Sequence, residues 1–276
     1  MASQRHFLER YTADGRVKLS YVDFNPDRKQ GEILLCLHGR SGSARNFAGL
    51  AKALAPDWRV IGLDQRGHGW SDQPETAQAG GIRDAFVADA MALLDQLAPG
   101  RPVAVLGHSM GGINAYHLAA KHPARVKALI VEDIGARLLG QAPAIEPWPL
   151  RWDSLAEMIA FMQASPFGLA PLLLDSIVEH EDGWGFRFED AWYERQIRPG
   201  LHGDFSAAWA AVACPVLLLH GGKSWAVSAD EIARMAALNP HCQVLRFPEA
   251  GHIIHDDAPA QFAQAVRDFL LASSGA

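Results

Sequence analysis

One stretch constrains the fold of this chain more than any other. Val103-Ala104-Val105-Leu106 is an apolar run with β-branched residues. It passes directly into Gly107-His108-Ser109-Met110-Gly111-Gly112 and a helical stretch ending near Lys121. A buried strand that turns this abruptly into a helix needs glycine on both sides of the turn, because a Cβ there would clash. The residue at the apex, Ser109, is then held in a strained conformation, with its hydroxyl raised above the C-terminal end of the strand. The following helix aims backbone N–H groups at the same point. Strands buried on both faces belong to parallel sheets, so this one implies neighbours of the same kind.

The neighbours are legible. Ile33–Leu37, Val60–Leu63, Ala128–Val131 and Val216–Leu219 are short apolar runs of the same type, and Gln243–Phe247 reads as a final strand. Helical stretches lie between them: Ala44–Leu54, Arg83–Leu97, Ala229–Leu238 and a closing one from about Ala258 to Leu271. At the start, His6–Tyr11 and Val17–Asp23 alternate around Ala13-Asp14-Gly15, the turn chemistry of a β-hairpin. The expected fold is α/β: a doubly wound, mostly parallel, eight-stranded sheet with an antiparallel start. One segment breaks the rhythm. Residues 135–205 show no core strand, yet five of the eight tryptophans fall there or just past it, which is too much aromatic content for a mobile excursion. About seventy residues is also too long for a plain loop. Leu155–Ala164 and Ala170–Val178 read there as amphipathic helices. The expected organisation is therefore a core of residues 1–134 and 206–276 with a helical cap of 135–205.

Charge narrows the partners. With 25 Lys and Arg against 31 Asp and Glu, the net charge is −6, and no basic stripe is present to neutralise a phosphate backbone. Neither a nucleic acid nor a membrane is expected: no apolar run approaches the ~18 residues of a spanning helix. The N-terminal residues lack the apolar block of a secretory signal. Cys36, Cys214 and Cys242 are an odd number in apolar surroundings and read as buried thiols rather than a disulfide framework or metal site. These features make the cytoplasm the expected location. No metal or organic cofactor is implied, since the chain has no His-Glu-x-x-His and no Gly-x-Gly-x-x-Gly after its first strand.

A serine hydroxyl is a poor nucleophile without a base. Twelve histidines compete for that role. In this architecture the base stands on the loop after the last strand, where Pro248-Glu249-Ala250-Gly251-His252 places His252. His255 reads as its solvent-facing neighbour, and His108 as packing beneath the turn. Leu35-Cys36-Leu37-His38-Gly39-Arg40 is a buried strand ending at the same sheet edge. The backbone N–H groups of Arg40 and Met110 are the expected oxyanion-hole donors, and His38 is expected to brace their loop.

With His38-Gly39, the run Asp64-Gln65-Arg66-Gly67-His68-Gly69-Trp70-Ser71-Asp72, Gly107–Gly112 and Gly251-His252 assembled, the chain resembles the α/β-hydrolase superfamily, in its capped serine-hydrolase branch. The likeness covers residues 20–134 and 206–272. It departs from the family at the acid. Most relatives carry an Asp in the loop after the strand Val216–Leu219, where this chain has Ser224. Some relatives, certain dehalogenases and lactonases among them, take the acid instead from the end of the strand before the cap, twenty-four residues past the nucleophile. That count lands on Asp133, with Glu132 the runner-up. A serine in the vacated place together with an acid after the earlier strand, and the wording Asp64–Thr76, is shared with one group of hydrolases in the superfamily. The resemblance implies a serine hydrolase acting on an ester, amide or lactone of a small molecule through Ser109, His252 and Asp133. C–C bond hydrolases and hydroxynitrile lyases with the same residue types are the alternative, and a ligand-binding receptor a more remote one. Haloalkane dehalogenase and epoxide hydrolase chemistry needs an Asp at 109. Arg40, with Arg137 and Arg151, is a candidate clamp for a substrate carboxylate. Trp148, Trp152 and Trp225 are candidate pocket walls. Monomer and homodimer both remain open.

Overall fold

The computed structural model describes residues 3–12, 15–29, 31–55, 57–75, 81–139, 149–164 and 173–273. The apolar runs form one eight-stranded sheet from β1 (Gln4–Thr12), β2 (Gly15–Asp23), β3 (Glu32–Leu37), β4 (Trp58–Asp64), β5 (Val103–His108), β6 (Val126–Glu132), β11 (Val216–Gly221) and β12 (Cys242–Phe247). Their spatial order is β1-β2-β4-β3-β5-β6-β11-β12. The β1–β2 and β2–β4 pairs are antiparallel and every later pair is parallel, as the two hydrophobicity patterns imply. The expected turn residues Ala13 and Asp14 lie outside the described residues. Their flanks, Thr12 and Gly15, pair in register.

Continuous apolar sequence in the central strands serves two cores at once. Leu35, Val105, Leu129 and Leu218 face one cluster, while Leu34, Leu106, Ile130 and Leu219 face the other. Helices α2 (Gly81–Leu97), α3 (Met110–Lys121) and α8 (Ala229–Leu238) supply the first cluster; α1 (Ala48–Leu54) and α9 (Pro259–Ser273) supply the second. Each fully buried leucine contributes roughly 1.5–3 kcal/mol by leaving water, so a polar residue at any of these positions is strongly destabilising.

The Asp64–Asp72 loop, at the C-terminal edge of this sheet, is held by buried polar contacts. Asp64 accepts from the N–H groups of Ala44 (2.7 Å) and Trp70 (3.1 Å) and pairs with Arg5. Gly69, at φ +55°, leaves no room for a side chain, since a Cβ would lie 2.4 Å from the Asp64 carboxyl carbon. Arg66 grips Asp89 of α2 with two bonds, 2.6 and 2.8 Å, and is fully buried.

Between β6 and α7 (Ser206–Ala210) the chain leaves the sheet. This insertion contains β7 (Arg137–Leu138), α4 (Leu155–Ala164), β8 (Ile177–His180), β9 (Gly183–Phe186), α5 (Asp190–Gln196), α6 (Arg198–Leu201) and β10 (Gly203–Asp204). The helix α4 has the bounds expected from sequence. The helix expected over Ala170–Val178 differs: its first residues lie outside the described set, and Ile177–His180 pairs antiparallel with Gly183–Phe186 instead. Ile177 and Val178 are β-branched, and a two-residue loop ending in Asp182 before Gly183 closes the hairpin. Trp192, Tyr193 and Ile197 pack on Ile82, Phe86 and Met110 of the core. Among the described residues, no helix is long and apolar enough to cross a membrane.

Candidate active site

Ser109 stands between β5 and α3 with φ +52° and ψ −120°, a conformation that side-chain-bearing residues rarely adopt. The turn is tight enough that a Cβ on Gly107 would lie 2.2 Å from Gly111 O, and one on Gly111 2.1 Å from Leu37 O. The Ser109 N–H donates to Glu132 O (3.0 Å), which ties the turn to the end of β6. Gly39 comes so close that a Cβ there would lie 3.2 Å from the Ser109 Cβ. The loop carrying Arg40 therefore passes beside Ser109, and Met110, the first residue of α3, follows Ser109 directly in the chain.

His252 follows β12 and turns its ring onto the same point. Its Nε2 is 3.0 Å from Ser109 Oγ and its Nδ1 is 2.8 Å from Asp133 Oδ2. Asp133 is fully buried and has φ +54°, one of three non-glycine residues at positive φ among the described residues, with Ser109 and Ser41. That twist has a geometric result. Glu132 and Asp133 are adjacent, yet they serve different histidines. Asp133 accepts from Gly221 N (2.9 Å) with Oδ1, and its Oδ2 accepts from the Ser224 hydroxyl as well as from His252. Ser224, in the place where an acid is usual, thus touches the acid that this chain carries elsewhere.

Glu132 lies in the interior. Its carboxylate faces His255 Nδ1 with both oxygens at 2.9 Å and accepts the His255 N–H at 3.0 Å. His255 is 8% exposed, which corrects the expectation of a solvent-facing neighbour. Burial alone would raise the Glu132 pKa, but the facing imidazoles of His255 and His108 and the hydrogen bonds from His255 outweigh it and hold it down at about 2. For His255, burial lowers the pKa, and the Glu132 charge more than offsets this, so the net direction is up. His108 lies beneath the turn, as expected. Burial pushes its pKa down to about 3, and its Nε2 donates to His252 O at 3.0 Å. His38 donates from Nδ1 to Gly39 O (2.7 Å) and accepts the Gln65 N–H at Nε2 (3.0 Å), which fixes its tautomer and braces the loop.

The candidate substrate-binding residues divide. The Arg40 guanidinium lies 3.9 Å over the Tyr193 ring of α5, with Glu194 4.0 Å away. The Trp225 ring is 4.8 Å from that of His252, at the exposed edge of the site. Arg137 and Arg151 are not gathered here. Arg137 pairs with Asp204 and Arg151 with Asp182, both at exposed positions, because each finds a carboxylate on the adjoining strand or turn. Trp152 belongs to the insertion's own core, bridged to Trp184 and packed on Phe161 and Phe186. Trp148 lies outside the described residues. Among the described residues, no three His, Cys, Asp or Glu side chains are grouped to hold a metal ion.

A parallel sheet, a strained serine between strand and helix, and a histidine after the last strand are together the frame of a known class, and the chain belongs to it. It is a member of the α/β-hydrolase family, whose model, described as alpha/beta hydrolase fold, matches residues 32–163. It is 30% identical over 274 residues, 96% of each chain, to 2-(acetamidomethylene)succinate hydrolase of Mesorhizobium japonicum. A crystal structure of E-2-(acetamidomethylene)succinate hydrolase superposes with a TM-score of 0.77 at 26% identity, covering 96% of this chain and 99% of that one. The sn-1-specific diacylglycerol lipase ABHD11 of Mus musculus is 32% identical over 272 residues, 91% of this chain and 85% of its own.

Proposed function

We propose that the protein is a serine hydrolase that cleaves an ester, amide or lactone bond of a small molecule through an acyl-enzyme, with Ser109 as nucleophile, His252 as general base and Asp133 as the acid. The observation that carries this reading is the unbroken hydrogen-bonded series Ser109 Oγ, His252 Nε2, His252 Nδ1, Asp133 Oδ2, at 3.0 and 2.8 Å. In the first step His252 takes the Ser109 proton as Oγ attacks the carbonyl, and Asp133 stabilises the imidazolium that results. The oxyanion is received by the backbone N–H groups of Arg40 and Met110, which flank the nucleophile in the chain and in the neighbouring loop. His252 gives its proton to the leaving group, then activates the water that releases the acid. The insertion acts as a cap that seats the substrate, with the Tyr193-backed Arg40 guanidinium favouring a carboxylate-bearing acyl compound. The substituted succinate named for the Mesorhizobium japonicum relative is consistent with that preference.

The test is trapping. Incubation with a fluorophosphonate should add one phosphonyl group, located to the peptide containing Ser109, in the parent protein and none in Ser109→Ala. Labelling at another residue, or none in a protein that is folded, would reject the reading.

A further inference from the structure

Beneath this site runs a line of buried polar side chains that the proposed chemistry leaves unused. Arg83 of α2 donates through Nη2 to Gly200 O in α6 (2.8 Å) and through Nη1 to Asn114 Oδ1 of α3. Asn114 Nδ2 donates to Gln65 Oε1 (2.6 Å), and Gln65 Nε2 donates to His38 O (2.6 Å). His38, bonded to the Gln65 N–H, closes the line by donating to Gly39 O at 2.7 Å. Arg83 is 7% exposed, Gln65 2%, Asn114 1% and His38 not at all.

The line has a sense of direction. A guanidinium only donates, so the Asn114 oxygen must face Arg83 and its nitrogen must face Gln65. The Gln65 oxygen is then committed to Asn114, and its nitrogen to His38 O. Turning any one amide over would set donor against donor in a dry interior, at the cost of an unsatisfied buried group. One end of the line is backbone of the insertion; the other is the loop that borders Ser109. Gly200 suits the first contact, since a Cβ there would meet the Ile82 side chain at 2.7 Å.

We propose that Gln65 and Asn114 are positioning residues for the oxyanion-hole loop, and that Arg83 couples the placement of that loop to the seating of α6. The proposal rests on the acyl-transfer reading of Ser109. Its consequence is that a substrate pressing the insertion onto the core tightens Gly39-Arg40 around the developing oxyanion, an effect on kcat rather than on KM.

Asn114→Leu keeps the branched outline and removes both bonds; Gln65→Met removes both side-chain bonds one step along; Arg83→Met and Arg83→Lys bracket the far end. Tyr116→Phe, on the same helix, is the control, since its buried hydroxyl has no hydrogen-bond partner among the described residues. The measurements are kcat and KM for p-nitrophenyl butyrate, inhibition by a trifluoromethyl ketone that forms a tetrahedral adduct, and amide exchange of segments 37–43 and 198–202. For Asn114→Leu and Gln65→Met, kcat should fall about ten- to a hundredfold, below or near the loss of one whole oxyanion donor, with KM within twofold. Ketone affinity should fall by the same factor, and both segments should exchange faster. Arg83→Lys should recover most of what Arg83→Met loses. If a folded variant of either amide is destabilised yet keeps the control's kcat, ketone affinity and exchange in 37–43, the proposal is overturned. A parent protein that neither turns over ester nor binds the ketone would reject the acyl-transfer reading itself, and with it the oxyanion role. Exchange in both segments would then still decide whether the mechanical coupling exists.

Discussion

Asp133→Asn isolates one charge and one tautomer with almost no change of shape. Asp133 receives three donors: the Gly221 N–H on Oδ1, and the His252 Nδ1–H and Ser224 hydroxyl on Oδ2. An asparagine that keeps its oxygen under Gly221 puts an NH2 group where Oδ2 was. Ser224 can rotate to accept from it. His252 cannot keep its proton on Nδ1, and the other tautomer points Nε2–H at Ser109 Oγ from 3.0 Å, where a lone pair is needed. The reversed amide restores an acceptor for His252 but opposes NH2 to the Gly221 N–H, leaving buried donors unpaired at about 1–3 kcal/mol. Either way the imidazolium also loses its counter-charge. The expected loss is about three to four decades in kcat, or roughly 4–5.5 kcal/mol, with KM little changed. The assay is initial-rate hydrolysis of p-nitrophenyl butyrate at pH 7.5, with near-UV circular dichroism to show that the fold is retained. A folded Asp133→Asn protein within tenfold of the parent would refute the assignment.

Glu132→Gln removes the carboxylate facing His255 and should cost about 3 kcal/mol in urea unfolding, the low end for breaking a buried pair because the amide can still accept a hydrogen bond. Because the Glu132 pKa is held at about 2 against an ordinary 4.5, its contribution is present above pH 4.5 and is lost as pH falls toward 2. The substituted protein should therefore show a flatter stability profile across that window, and an unchanged slope there would contradict the pairing. Gly67→Ala places a Cβ 1.9 Å from the Trp192 ring at φ +79°, so the insertion must shift. KM should rise several-fold and tryptophan fluorescence change, while Ser109 still labels. Arg66→Met strands Asp89 with Arg10 alone at 2.6 Å, and a loss of about 3 kcal/mol in a urea titration is expected.

The parallel strands were legible because a strand buried on both faces has to be apolar throughout, and the turn at Ser109 because only glycine fits its flanks. The Ile177–Phe186 hairpin differs from the expected helix although Asp182-Gly183 carries the same turn signal as Asp14-Gly15. His255 was misplaced for a long-range reason. Its partner is 123 residues away, and nothing in the local spacing shows that Glu132 points into the interior while Asp133 points at the site. That divergence depends on the left-handed backbone at Asp133, which sequence patterns in non-glycine residues do not reveal. The surface pairs of Arg137 and Arg151 were equally hidden, since charge alone does not say which carboxylate a long side chain will find. The Arg83–Asn114–Gln65 line joins three separate segments of the chain, and no local spacing shows that they meet.

The contact between Ser224 and Asp133 bears on how such a site changes over descent. A lineage moving its acid between the loop after β11 and the end of β6 must pass through a sequence carrying both acids or neither. With neither, the imidazolium has no counter-charge and the enzyme nearly stops. With both, Ser224→Asp would set a second carboxylate at the distance now spanned by one hydroxyl hydrogen bond. Two carboxylates that close hold one proton between them rather than two full charges. His252 would still face a single net charge, drawn from either side chain. On the proposed mechanism the doubly acidic intermediate keeps the one negative charge that His252 needs, which makes it a passable bridge between the two arrangements.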